Sequence, residues 1–497
     1  MPNLLEPGHQ LIVGATGMGK SRFVLYHILK SMQEGVPLCY IDPKGETILA
    51  LLAILSHTKK GLELYGKLKD RIRLLDPLSP SDYILGFNAI APMKPFANAK
   101  VDLTALVANS LVSHIRRQSG FDVGEAMRMQ NIMAAAVATL LEANEGYTLA
   151  ELPYLFQQVK FEGGMKAKDV PLINPFVQSI LPRIRHYGTR MFWEQQWANW
   201  DHQARREWPQ STLGRVFQYL FDERFLYSVC TSRHATLDFE QVVSEGYWLF
   251  VNIPFQLLSE TVTTVLGNIL LSRIFYACLQ RGWGKSRYRL IVDEAGFFNT
   301  GPLDTILNTS HNFGLDLTMV TQNLSQLTRT SSGGIDYRLL DSVLTDCRSI
   351  VTFNSGAERD FETLARLIYP VTGQIVTGIR SSGDFDYLPV SAEQAQNEEK
   401  IKTLGYREVI IYDKLSKSRV EVWITPDMDV RFPPQARIAW FEGEHLRATG
   451  RPAELIRQEI EEARRRVEGY FQVAKATVGP RKYSRGWYTD DEPQPTQ

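Results

Sequence analysis

Cysteine is scarce in this chain: there are 4 in 497 residues, at positions 39, 230, 278 and 347, and no two form a C-x-x-C pair. That spacing excludes a disulfide framework and the common zinc or redox arrangements. Each thiol sits in an apolar context, so buried structural thiols in a reducing cytosol are expected. An excess of charge is also missing, because Lys+Arg and Asp+Glu are 55 each. A neutral protein does not coat nucleic acid with its whole surface, so any contact with DNA must be local. The N-terminus MPNLLEPGHQ lacks the basic-then-apolar pattern of a secretory signal. No apolar run is long and clean enough to span a membrane, since the best one, residues 261–279, contains Asn268, Ser272 and Arg273. Disorder is excluded as well, with 44% apolar and 22% charged residues.

The order of elements points to an α/β protein. At this length about three units are expected, or one large domain with an insertion. Short apolar runs at 11–13, 38–41 and 71–75 read as strands, and helical patterns follow the first two at 20–33 and 46–56. Such alternation predicts a mostly parallel sheet covered on both faces. Between 93 and 228 the alternation stops and apolar residues recur at helical spacing, over 101–115, 126–142 and 149–159, which reads as an inserted all-α domain. Within it Trp193, Trp197 and Trp200 fall on one helix face beside the clusters Arg183–Arg190 and Arg205-Arg206. That is a stripe for packing on a neighbour before it is a surface for stacking single strands. Alternation resumes with strands over 247–253, 289–292, 315–321 and 348–353 and helices over 260–280, 303–312 and 358–368. A hairpin over 408–413 and 419–425 follows, then a charged helix over 455–470. The reading divides the chain into a first core part (1–92), the α insertion (93–228), a second core part with a β-rich extension (229–425), and a C-terminal helix with a disordered tail (426–497).

Residues 14–21, Gly14-Ala15-Thr16-Gly17-Met18-Gly19-Lys20-Ser21, match G-x-x-x-x-G-K-[ST], with a strand before and a helix after. Glycines let the backbone curl so that successive N–H groups face phosphate oxygens, and the following helix aims its positive end at them. Lys20 supplies charge for the β- and γ-phosphates, and Ser21 offers a hydroxyl to Mg²⁺. Further on, the strand Arg289-Leu290-Ile291-Val292 delivers two adjacent carboxylates, Asp293 and Glu294, at its C-terminal end, where ligands bind in parallel sheets. Asp293 suits the Mg²⁺ shell, and Glu294 suits orienting and deprotonating a water, which favours an ATPase over a switch. Gln322, at the end of another apolar strand, can sense the γ-phosphate or the lytic water.

These motifs in this order, together with Asp42-Pro43-Lys44-Gly45-Glu46 directly after the second strand and the run Thr321-Gln322-Asn323-Leu324-Ser325-Gln326-Leu327, resemble the type IV coupling proteins. These are the TraD/TraG-like conjugative ATPases of the HerA–FtsK superfamily. Residues 246–254 (GYWLFVNIP) and 344–351 (LTDCRSIV) look like two more of their core strands. The resemblance covers about residues 8–90 and 235–370. It implies a RecA-like P-loop core with an inserted all-α domain, assembled as a homohexameric ring. ATP and Mg²⁺ would lie between subunits, DNA or nucleoprotein would pass through the centre, and Asp42, Lys44 and Glu46 would lie near the γ-phosphate.

Two departures bear on function. Coupling proteins usually begin with membrane helices and this sequence has none, so it reads as a piece of a longer protein or a soluble, cytoplasmic relative that meets the membrane only through partners. Many relatives carry Arg just before the Gly that opens the sensor strand, whereas here that stretch reads Ser310-His311-Asn312-Phe313-Gly314, so a finger has to come from elsewhere; Arg348 is the choice, with Arg338 and Arg359 as rivals. Three readings follow: a DNA-translocating motor serving a relaxase or secretion channel, a nucleotide-switched platform that recruits a protein substrate, or a helicase-like motor working with a nuclease. No nuclease signature is present in the chain itself, whose 9 histidines are scattered. Asp293-Glu294 favours turnover, and with it the motor.

Overall fold

The computed structural model describes residues 7–91, 123–143, 145–157, 173–217, 223–230, 235–298, 302–331, 334–382, 384–428, 430 and 432–477. Its centre is one nine-stranded sheet. The strands are β1 (Gln10–Val13), β2 (Leu38–Asp42), β3 (Ile72–Leu75), β4 (Trp248–Asn252), β5 (Tyr288–Val292), β6 (Leu315–Thr321), β7 (Ser349–Thr352), β8 (Glu408–Asp413) and β9 (Ser418–Ile424). Their spatial order is β9-β8-β7-β1-β6-β5-β2-β4-β3. The seven strands from β7 to β3 run parallel, and the β8–β9 hairpin joins β7 antiparallel. This is the RecA-like α/β fold expected, with every anticipated core strand present.

The parallel strands are apolar on both sides because both faces are covered. Alternation along β1 makes the division visible: Leu11 and Val13 belong to one hydrophobic layer and Ile12 to the other. The second layer is filled by α1 (Lys20–Glu34) and α2 (Glu46–His57), through Phe23, Val24, Ile28, Ile48, Leu51 and Leu55. The first is filled largely by α3 (Glu260–Arg281), through Leu266, Leu270 and Ile274. Residues 262–281 are long and apolar enough to cross a membrane, but 89% of that stretch is buried inside the fold. By length and composition it departs from the expectation that no run is clean enough to span, and its burial makes it the central helix of the core.

Between 92 and 229 the described residues contain helices and no strand, chiefly Val123–Ala143, Pro175–Ile180 and His202–Phe217. The helix anticipated over 101–115 and the end of the one over 149–159 lie outside the described residues. The tryptophan stripe is packed inward: Trp193 and Trp197 are buried with ring centroids 5.4 Å apart, and the Trp193 indole donates to Thr139 Oγ1 at 2.8 Å. Their faces are therefore not available for base stacking. The C-terminal part is more structured than a single helix. Gln435–Thr449 packs on the core, where Phe441 meets Tyr65, and Ala453–Thr477 reaches the α insertion, where Tyr470 meets Phe176. The tail anticipated as disordered falls outside the described residues from 478 onward.

Candidate nucleotide site

The P-loop leaves the C-terminal end of β1, which lies between β6 and β7. Its start is tied to both sides: Gly14 N–H donates to the Thr321 carbonyl at 3.3 Å and Ala15 N–H to the Asn354 carbonyl at 2.7 Å. Gly14 is required sterically, because a Cβ there would stand 2.4 Å from the Phe353 Cβ. Gly17 and Gly19 are required conformationally, with φ of +83° and +103°. Gly19 caps α1 without a side-chain hydrogen bond, and the first N–H groups of a helix have no intrahelical acceptor. They and the helix dipole favour an anion at this end. Ser21 is exposed on that first turn. Lys20 is buried and folded back, its ammonium donating to the Gly14 and Ala15 carbonyls. Burial lowers its pKa, opposed by the charges of Glu294 and Asp293.

The carboxylates anticipated on β5 arrive beside this loop. Asp293 is buried; Tyr40 donates its hydroxyl to one oxygen at 2.9 Å and Glu294 N–H donates to the other at 2.9 Å. Burial, then the charges of Asp42 and Glu294, push its pKa up to about 7. Glu294 is buried in the left-handed region at φ +45°, which a non-glycine residue occupies only when its surroundings hold it. They do: Gln322 Nε2 donates to both of its oxygens at 3.0 and 3.1 Å, and Lys44 forms an ion pair with it. Gln322 closes the circuit by accepting from the Thr16 hydroxyl of the P-loop at 3.1 Å. One polar chain thus joins four segments: Thr16, Gln322, Glu294, Lys44.

Not every anticipated residue faces this site. Asp42 is buried and its oxygens take the N–H groups of Lys44, Gly45, Thr47 and Ile48 at 2.8–3.0 Å, so it holds the turn into α2 while its charge acts on Asp293. Glu46 is exposed on the first turn of α2. Arg348 precedes β7 at the end of the sheet opposite the P-loop, since Ser349 pairs with Gln10 and Thr352 with Val13. There its guanidinium donates to Asp413 Oδ2 at 2.8 Å and to the Pro7 carbonyl at 2.9 Å. Arg338 is exposed and paired with Asp336.

Three parts of the site carry no motif of their own. Tyr40 reads in sequence as a buried strand residue, and only the β2–β5 pairing sets its hydroxyl on Asp293. Asp360 accepts the Leu324 N–H at 3.0 Å and so ties the segment after Gln322 to the helix Glu358–Ile368. Arg407, between β8 and the preceding helix, donates its N–H to the Met18 carbonyl at 2.9 Å.

Fold and site together define a RecA-like P-loop fold with a nucleotide-type phosphate loop. Solved structures of the bacterial conjugative coupling protein TrwB share that fold. The unbound monoclinic form of TrwBdeltaN70 superposes with a TM-score of 0.57 at 14% identity, over 87% of this chain and 88% of that one. TrwB in complex with ADP and Mg²⁺ gives 0.56 at 12%, over 88% and 89%. TrwB in complex with a non-hydrolysable ATP analogue gives 0.54 at 14%, over 87% and 89%. No protein-family model matches the chain, and no curated protein matches it by sequence.

Proposed function

We propose that this chain is a ring-forming ATPase, a hexamer, that couples ATP hydrolysis to the movement of DNA or nucleoprotein. The observation that carries the reading is the polar chain Thr16–Gln322–Glu294–Lys44, which links the phosphate loop to a held carboxylate and a strand-end amide. A γ-phosphate arriving at the loop competes for Lys20 and for the Thr16–Gln322 contact. Lys20 then leaves the Gly14 and Ala15 carbonyls for the β- and γ-oxygens, and Gln322 changes partner. Glu294, oriented by Lys44, accepts a proton from the attacking water.

The residues fit Mg²⁺ held through the nucleotide. Among the described residues no group of three or more His, Cys, Asp or Glu side chains is arranged as a metal cage, which suits an ion bound mainly through phosphates and water. Ser21 and Asp293 would hold it, and the raised pKa of Asp293 reports a buried carboxylate among negative neighbours. When bound, the ion supplies charge neutralisation at the phosphates. The TrwB complexes with ADP and Mg²⁺ and with an ATP analogue support this assignment.

Neutral net charge confines the DNA contact to a few loops repeated around the ring, and avidity then supplies affinity. The protein works in the cytoplasm and meets a relaxase, secretion channel or nuclease there. The test is ATP turnover with and without DNA at two salt concentrations, with oligomer mass measured alongside. The motor predicts DNA-stimulated, salt-sensitive turnover by an oligomer. Turnover indifferent to DNA at every oligomeric state contradicts it and favours the recruitment platform.

A further inference from the structure

We infer that Tyr406 is a stacking platform for the base of the bound nucleotide. This rests on the nucleotide-binding reading of the P-loop and adds the part of the ligand that the motifs leave unassigned. The phosphate loop accounts for phosphates only; the base must lie beyond the first turn of α1, against whatever flanks it. Two segments flank that turn. One is Gly405–Arg407, where Arg407 donates its N–H to the Met18 carbonyl at 2.9 Å and its Cγ would meet a Cβ on Gly19 at 3.0 Å. The other is the stretch after β9, where the Met428 carbonyl accepts from the Arg22 guanidinium at 2.8 Å.

Tyr406 is 60% exposed beside that turn. Its neighbour holds it there at a conformational cost. Arg407 sits at φ +68°, in the left-handed region that a side chain disfavours. It is kept there by its bond to Met18 and by the Thr425 N–H donating to its carbonyl at 3.0 Å. Strain retained beside a ligand site points to positioning. The Arg407 guanidinium lies 5.5 Å from the Tyr406 ring centroid and pairs with Asp427 at 3.1 Å, so the ring is braced by a neighbour while most of its surface stays open to solvent. A purine stacks on such a face without reading its edge, because every base presents a π-face. Adenine and guanine nucleotides should therefore be held alike.

The experiment measures equilibrium binding of Mg·ADP, Mg·GDP and Mg·tripolyphosphate to full-length wild type, Tyr406→Ala, Tyr406→Phe and Lys20→Ala, with melting curves as the folding control. Stacking predicts that Tyr406→Ala weakens ADP and GDP about tenfold, in the range reported by base–aromatic truncations. Tripolyphosphate affinity should be unchanged, and Tyr406→Phe should bind like wild type. Equal loss of ADP and tripolyphosphate would mean that the loop acts only by bracing the P-loop, and unchanged ADP affinity would mean that the ring touches nothing; either overturns the inference. Lys20→Ala should lose all three ligands. If wild type binds none of them, the nucleotide reading fails and takes this one with it, whereas a wild-type-like Tyr406→Ala beside an inactive Lys20→Ala removes stacking alone.

Discussion

Replacing Lys44 by alanine isolates the ion pair that holds Glu294. The glutamate side chain is 5% exposed and the lysine 27%, so the pair is buried on one side and screened on the other. Removing one partner of a fully buried pair costs about 3–5 kcal/mol, and exposed pairs contribute about 0–1. Solvent access to Lys44 places this one between, at roughly 1–3 kcal/mol of stability. In the Glu294→Gln background no carboxylate remains to be orphaned, so Lys44→Ala should cost less than about 0.5 kcal/mol there. Denaturant unfolding of the four proteins in this cycle measures the coupling directly. Turnover should fall by roughly 10² in Lys44→Ala, the lower range of a general-base contribution, because Gln322 alone then aims the base. Lys44→Arg should recover part of both. An equal stability cost in the two backgrounds would show that Lys44 acts through packing and not through its charge.

Three further outcomes follow from the same geometry. Lys20→Ala should abolish nucleotide binding or turnover while melting within a few degrees of wild type, since its contacts are to loop carbonyls and not to the core; wild-type hydrolysis would remove the P-loop from the mechanism. His27 is buried against Phe23 and its pKa is pushed down to about 3 by burial, then by the charges of Arg289 and Lys30. An unfolded histidine takes its proton near pH 6.5, so below that value the unfolded state binds the extra proton and stability falls by up to about 1.4 kcal/mol per pH unit until pH 3. His27→Phe should flatten this acid loss between pH 6.5 and 5, and an unaltered slope would contradict the assignment. For Arg348, which we propose acts on the neighbouring subunit's nucleotide, mixing Lys20→Ala with Arg348→Ala subunits should restore activity at interfaces that pair the two intact parts. No recovery in rings shown to be mixed would leave Arg348 a structural residue that ties Asp413 and the Pro7 carbonyl together.

The core strands were legible because each is a short, continuous apolar run that parallel pairing buries on both faces, and the P-loop because its chemistry dictates its spelling. What stayed hidden has other causes. The helix Val390–Lys402 is mostly polar, and it docks through Glu393 accepting the Thr372 and Gly373 N–H groups, which leaves little apolar periodicity to read. Lys44 and Glu294 are 250 residues apart, and nothing local in either segment announces the pair. For Asp42 the motif marks a conspicuous carboxylate, and only the fold shows that its oxygens take four backbone N–H groups. Arg407 was invisible because only the fold brings the connection before β8 onto the P-loop.

Glu294→Gln tests the central claim most directly. The substitution keeps size and shape at a buried position but removes the carboxylate held by Lys44 and Gln322. Binding of Mg·ATP and its steady-state hydrolysis are measured on the same preparation. The account predicts that ATP still binds and that turnover falls by at least about 10², so that ATP stays trapped on the protein. Turnover at the wild-type rate with ATP bound normally would mean that Glu294 is not the base and that the Thr16–Gln322–Glu294–Lys44 chain is not the machinery of hydrolysis.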